Sequence, residues 1–241
     1  MIKGLIREMV DKYESEFKPV KNKVSETLQI SDYIDHTLLK PDVTLRDIES
    51  LCAEAIDYRF KAVCVNSCWI RDVVRFLAGS PTKKAVVVGF PLGACSSEVK
   101  AFETRWTLEH GADEFDMVMN IGALKGEDYD LVMKDIAKVV KSAKGNAVKV
   151  IIETALLSTK EKIAACVIAE AAGATFVKTS SGFAGGGATV DDVSLMRFVT
   201  SPHVKVKASG GIRDRETAIA MIEAGAERIG TSSGIRIIAE E

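Results

Sequence analysis

The 241-residue sequence has no excess of either charge: 32 Lys and Arg stand against 34 Asp and Glu, a net of −2. That balance excludes a global positive field for nucleic acid or an anionic membrane, and leaves only local basic sites. Long apolar runs are also missing. The longest uncharged stretch around the apolar segments, residues 85–97, has 13 residues and contains Gly and Pro; a spanning helix needs about 20 apolar residues. The N-terminal segment MIKGLIREMVDKYESEF scatters charges among its apolar residues and does not read as a secretory signal. Cysteine is sparse and odd in number, five residues with no CxxC pair. This argues against a disulfide framework and fits reduced thiols in a cytoplasmic protein. Only three histidines occur, His36, His110 and His203, with no HxH or HExxH pairing. No metal site is expected from them.

What is present is an ordinary globular composition, 47% hydrophobic and 27% charged, at a length close to the roughly 250 residues of one α/β barrel. Residues 2–17 place Ile2, Leu5, Ile6, Met9, Val10, Tyr13 and Phe17 at helical spacing. They predict an amphipathic helix in an N-terminal extension (1–28) that covers one end of the main domain or enters a subunit contact. From residue 29 to 241 the rhythm changes. Eight short β-rich runs alternate with helical stretches: 34–39, 61–65, 84–90, 114–119, 147–153, 176–180, 204–209 and 228–233. The segments HGADEF, AAGATF and EAGAER each close a helix on Gly-Ala and enter a strand two residues later. Eight such units without a long insertion predict a (β/α)8 TIM barrel. An open dinucleotide-binding sheet would usually carry GxGxxG after its first strand, and KPDVT stands there instead.

In such a barrel the chemistry sits at the C-terminal ends of the strands. Lys149, Lys178 and Lys207 fall in strands five, six and seven; Asp35 and Asp116 fall in strands one and four. One strand lysine alone would most simply reach solvent between helices. Three in consecutive strands, with carboxylates available, converge on the barrel interior, where repulsion and burial both lower a lysine pKa. A partly neutral lysine is the nucleophile that a Schiff base with a carbonyl compound requires. After strands seven and eight come Ser209-Gly210-Gly211 and Gly230-Thr231-Ser232-Ser233-Gly234. Bare amides and hydroxyls at these two positions predict a phosphate site. The Gly-rich stretch 182–189 suits a loop over the substrate.

The chain resembles the deoxyribose-phosphate aldolases, class I aldolases of deoxyribonucleoside breakdown. The resemblance rests on IDHTLLKPDVT (34–44), VCVNSCW (63–69), VVGFPLGA (87–94), GADEFDMVMNIGALK (111–125), VKVIIETALL (148–157), FVKTSSGF (176–183), GGAT (186–189), VKASGGIR (206–213) and RIGTSSG (228–234). It implies Lys178 as the Schiff-base lysine, Lys207 as a second active-site lysine and Asp116 as their acidic partner. It further implies that Asp35, Cys64, Lys149 and Ser181 line the pocket, and that Gly210, Gly211, Gly230, Ser232 and Ser233 cradle phosphate. The implied ligand is a small sugar phosphate, with no organic cofactor or metal, in a homo-oligomer (dimer or tetramer). Three departures stand out. Ser181 replaces a usual Thr, Ala184 and Gly185 replace Ser-Thr, and Ser67 replaces a Pro.

Overall fold

The computed structural model describes residues 2–19, 21–25 and 27–239. An N-terminal helix α1 (Ile2–Glu16) precedes eight strands: β1 (Ile34–Leu38), β2 (Ala62–Val65), β3 (Lys83–Val88), β4 (Glu114–Val118), β5 (Ala147–Ile151), β6 (Phe176–Lys178), β7 (Lys205–Ser209) and β8 (Arg228–Thr231). Between them run α2 (Leu45–Asp57), α3 (Ile70–Phe76), α4 (Ser97–Glu109), α5 (Ile121–Lys125), α6 (Tyr129–Ser142), α7 (Thr159–Ala171), α8 (Val190–Val199) and α9 (Arg215–Glu223). The last described element is α10 (Gly234–Ala239). All strands pair in parallel, each with its sequence neighbours, and β8 closes on β1. This is the expected (β/α)8 barrel.

Local chemistry sets the boundaries. Thr44 and Ser158 start α2 and α7 with capping boxes to Asp47 and Glu161. The Gly-Ala repeat marks helix ends. Gly111, Gly173 and Gly225 take φ of 97°, 86° and 110°, and the following alanine amides bond back to Thr107, Ala169 and Met221. Only glycine adopts that left-handed turn without strain. Strand ends are shorter than the apolar runs suggest: β6 stops at Lys178 rather than Ser180. There the chain turns to form the barrel mouth.

The apolar face of α1 forms as the spacing predicts, with Met9, Val10 and Tyr13 packed half-buried on the same core as Ile2 and Ile6, and Leu5 alone departs from it. Ile2 and Ile6 are buried, while Leu5 is 47% exposed. The helix packs along α7, flanked by α6 and α8, so it lies on the side of the barrel rather than over an end. At the N-terminal end of the barrel the Asn22 amide bonds the Glu223 carbonyl, and Leu28 meets the core.

Strand alternation divides the buried side chains into two sets. Val63, Val86, Phe115, Met117, Val148, Val150, Val177 and Val206 face the helices and join one continuous apolar core. Each fully buried residue of this kind stabilises the fold by about 1.5–3 kcal/mol. The other set points into the barrel. The strand register stacks it in layers of four from alternate strands. Lowest are Ala62, Glu114, Phe176 and Arg228; next Asp35, Ala85, Lys149 and Lys207; then Cys64, Asp116, Lys178 and Gly230.

Candidate active site

Asp116 is the hub of the third layer. Its Oδ2 accepts from Lys178 Nζ and Lys207 Nζ, each at 2.7 Å, and its Oδ1 accepts from Lys149 Nζ at 2.7 Å. Cys64 Sγ lies 3.9 Å from the same Oδ2. Lys207 also donates to Asp35 Oδ2. Asp35 Oδ1 in turn accepts from Arg228 Nε at 2.6 Å. Arg228 reaches across to Glu114 with both terminal nitrogens, at 3.1 and 2.9 Å, and Glu114 Oε2 meets Lys149 Nζ at 2.7 Å. The strands therefore carry a closed ion network where barrels of this type usually pack branched apolar residues.

Burial opposes charge on every member, and the ion pairs decide the outcome. Burial alone would raise the Asp116 carboxyl; Lys149, Lys178 and Lys207 overcome it and hold it well below the usual carboxylate range. Asp35 is likewise brought down to about 2, chiefly by Lys207 and Arg228 against the cost of burial. Lys207 goes up, because Asp116 and Asp35 together outweigh desolvation. Lys178 goes the other way. Burial is the largest cause, Asp116 opposes it, and the Lys207 charge adds to the lowering. Its amine is thus the most easily neutralised of the three lysines. Of the two causes that the sequence pattern offers, repulsion and burial, burial ranks first.

Above this floor opens a cavity of about 410 Å³ at the C-terminal ends of the strands. That volume suits a small ligand. Its lining comprises Lys178 and residues 37–40, 181–183, 209–213 and 230–232. A larger hollow, about 550 Å³, lies near residues 59–61 and 78–82 at the opposite end and contains none of the network. Gly210 and Gly211, with φ of 88° and 79°, turn the β7 loop along one wall, near Lys40 and Arg213. Gly230 serves a different end. A Cβ there would lie 2.9 Å from Ser209 Cβ and 3.1 Å from Lys207 Cε, so its bareness gives Lys207 room. Ser181 receives its place from Glu153, whose carboxylate accepts the Ser181 amide at 3.1 Å, while Ser181 Oγ accepts from the Phe183 amide.

Several residues sit elsewhere than the resemblance implies. Asp35, Cys64 and Lys149 do not line the cavity, and neither do Asp116 and Lys207; all five lie fully buried beside or beneath Lys178, because the register puts them in or under the third layer. Burial pushes the Cys64 thiol up to about 11. Ser233 stands outside the lining, and its amide donates to Thr231 Oγ1 at 2.9 Å. His36 turns outward to Glu54, 2.6 Å away, and His110 caps α4 against Trp106 and Arg71. The loop 182–189 is half open and half pinned. Nothing lies within 4 Å of a Cβ at Gly182 or Gly185, whereas one at Gly187 would meet the Gly210 carbonyl oxygen at 2.4 Å. Ala188 donates to that carbonyl. Ser67 joins Glu103, which also accepts the Gly89 amide, and so ties the ends of β2 and β3 together.

Glu114 and Arg228 are the network members that sequence reasoning missed. The signal was available: each is a charged residue in an apolar strand, two positions before Asp116 and Gly230 and therefore on the same face.

Residues 30–240 match the family described as DeoC/LacD family aldolase. The chain is 60% identical over 215 residues to "Deoxyribose-phosphate aldolase" of Thermococcus gammatolerans, covering 88% of this chain and 96% of that one. It is 51% identical over 240 residues to the protein of the same name from Thermotoga maritima, covering 99% and 96%. Among solved structures it superposes with a TM-score of 0.83 on the deoxyribose phosphate aldolase of Aeropyrum pernix, described as a unique tetrameric structure. The identity there is 31%, with 99% and 97% of the two chains covered.

Proposed function

The chain belongs to the DeoC/LacD family of aldolases, and from that premise we propose that it reversibly cleaves 2-deoxy-D-ribose 5-phosphate to acetaldehyde and D-glyceraldehyde 3-phosphate. The observation that carries the reading is the Lys178 amine, at the floor of the cavity and lowered in basicity, beside Asp116 and Lys207. In the cleavage direction the neutral amine attacks the C1 aldehyde of the open-chain sugar. Loss of water from the carbinolamine leaves an iminium ion, which accepts the electron pair of the C2–C3 bond. The C3 hydroxyl gives up its proton as that bond breaks, and glyceraldehyde phosphate departs. Asp116 and Lys207, working through water, return a proton to the enamine carbon. Hydrolysis of the resulting iminium frees acetaldehyde and Lys178. The iminium is the electron sink, so the reading requires neither metal nor organic cofactor.

The substrate's phosphate goes to the wall formed by the β7 and β8 loops, where Gly210, Gly211 and Ser232 offer backbone and hydroxyl donors near Lys40 and Arg213. Residues 29–241 act as the catalytic barrel and 1–28 as a brace along its side. A homo-oligomer is part of the reading, supported by the tetrameric Aeropyrum relative. So is a cytoplasmic site, supported by five cysteines that all stand unpaired. Among the described residues no helix is long and apolar enough to cross a membrane. Borohydride trapping with acetaldehyde tests the core of the reading. One ethyl group on Lys178 is the expected product, and a label on Lys149 or Lys207 overturns the assignment.

A further inference from the structure

The barrel interior holds three carboxylates, Asp35, Glu114 and Asp116, and three cations apart from Lys178, namely Lys149, Lys207 and Arg228. All six are buried, and each is paired within the network. The count closes at zero only when Lys178 is neutral; protonated, it is the seventh charge and leaves the cluster at +1. A buried cluster with unbalanced charge is costly, because the low-dielectric interior does not screen it. Two of the six, Glu114 and Arg228, lie in the lowest layer, and their hydrogen bonds and ion pairs go to Asp35, Lys149 and each other rather than to Lys178 or Asp116. Neither lines the cavity.

We propose that Arg228 and Glu114 are positioning residues which fix the charge count of the barrel floor, so that Lys178 is the one amine left without a charge to balance. This rests on Lys178 being the Schiff-base lysine. Arg228 acts by completing Asp35 and Glu114, which leaves Lys207 and Lys149 fully ionised. Glu114 acts by sharing Lys149 with Asp116. Within the barrel the charged and titratable groups around Lys178 are Asp116 from β4, Lys207 from β7, Lys149 from β5, Asp35 from β1 and Cys64 from β2; above it Lys40 and Arg213 share the cavity lining, and the buried Glu153 after β5 holds the Ser181 amide. Beyond them come Arg228 from β8 and Glu114 from β4, while β3 presents Ala85 and Val87, which carry no charge.

The test is the pH profile of imine formation with acetaldehyde, read by borohydride trapping and mapped by peptide mass. Arg228→Met removes a positive charge, so the midpoint for Lys178 labelling moves up by about one pH unit, and labelling near pH 7 slows about tenfold. Glu114→Gln removes a negative charge in an isosteric frame, and the midpoint moves down. The double variant returns toward the parent, and Arg228→Lys, which keeps the charge, stays near it. A merely structural role would lower thermal stability and leave both midpoints in place. That outcome, or shifts of the same sign in the two single variants, overturns the proposal while Lys178 remains the labelled residue. If Arg228→Met does not fold, the downward shift of Glu114→Gln decides alone. A parent label that maps away from Lys178 instead overturns the Schiff-base reading itself.

Discussion

The two faces of the same strands could hardly differ more. On β4, Phe115 and Met117 turn outward into the helices, while Glu114 and Asp116 turn inward. On β7, Val206 and Ala208 face out, and Lys207 and Ser209 face in. The outward face is the apolar core that closes the fold. The inward face, where a barrel could pack branched residues, carries ion pairs whose removal leaves buried charge exposed to its neighbours. Neighbours in sequence therefore serve separable purposes, stability on the outward face and chemistry on the inward one.

Substitutions on one face should leave the other largely alone, and the sharpest break comes from Lys178→Arg. Guanidinium stays protonated and cannot form the imine. Cleavage of deoxyribose 5-phosphate should vanish in a steady-state assay, while the circular dichroism spectrum persists; measurable turnover would contradict the role of Lys178. Asp116→Asn comes next. It strips the shared partner from Lys149, Lys178 and Lys207, and kcat should fall by about 10²–10⁴.

The outward neighbour gives the converse. Phe115→Ala should cost about 3–5 kcal/mol in denaturant unfolding, with kcat changed less than about twofold wherever the protein is folded. A kcat loss comparable to that of Asp116→Asn would show that the two faces are not separable. Gly211→Asp sets a carboxylate on the wall assigned to phosphate. KM for the phosphorylated sugar should rise about 10- to 100-fold, and that for 2-deoxyribose much less. Equal rises would remove phosphate from that wall.

The smallest effect concerns acid. The Asp35 carboxyl lies at about 2 in the folded chain, against about 3.9 in an unfolded one. A depressed carboxylate contributes stability above its unfolded pKa and loses it as pH falls through the folded value. Asp35 should therefore contribute about 2 kcal/mol that fades between pH 4 and pH 2. Asp35→Asn should flatten that part of the pH–stability curve, and an unaltered slope would show that Asp35 is not its source.

Much of the barrel was legible in the chain because each strand and helix announces itself locally. Thr44 and Ser158 cap their helices through residues three positions on, and the Gly-Ala ends need only backbone geometry. The three lysines and Asp116 were legible because a charge inside an apolar run is conspicuous. Arg228 and Glu114 were not recognised, since each opens its strand, where a charged residue ordinarily reaches solvent. The depth of Asp35, Cys64 and Lys149 had no local signature at all.

The sequence by itself determined the alternation of strands and helices, the eight strands, and the convergence of three lysines and two aspartates on the barrel interior, because periodicity and capping act over a few residues. Only the tertiary structure decided which interior residues line the cavity and which lie beneath it. That depth depends on the stagger between strands far apart in the chain. Closure through β8 and β1 brings Arg228 beside Asp35 and, across the barrel, Glu114, and this long-range register makes three lysines unequal.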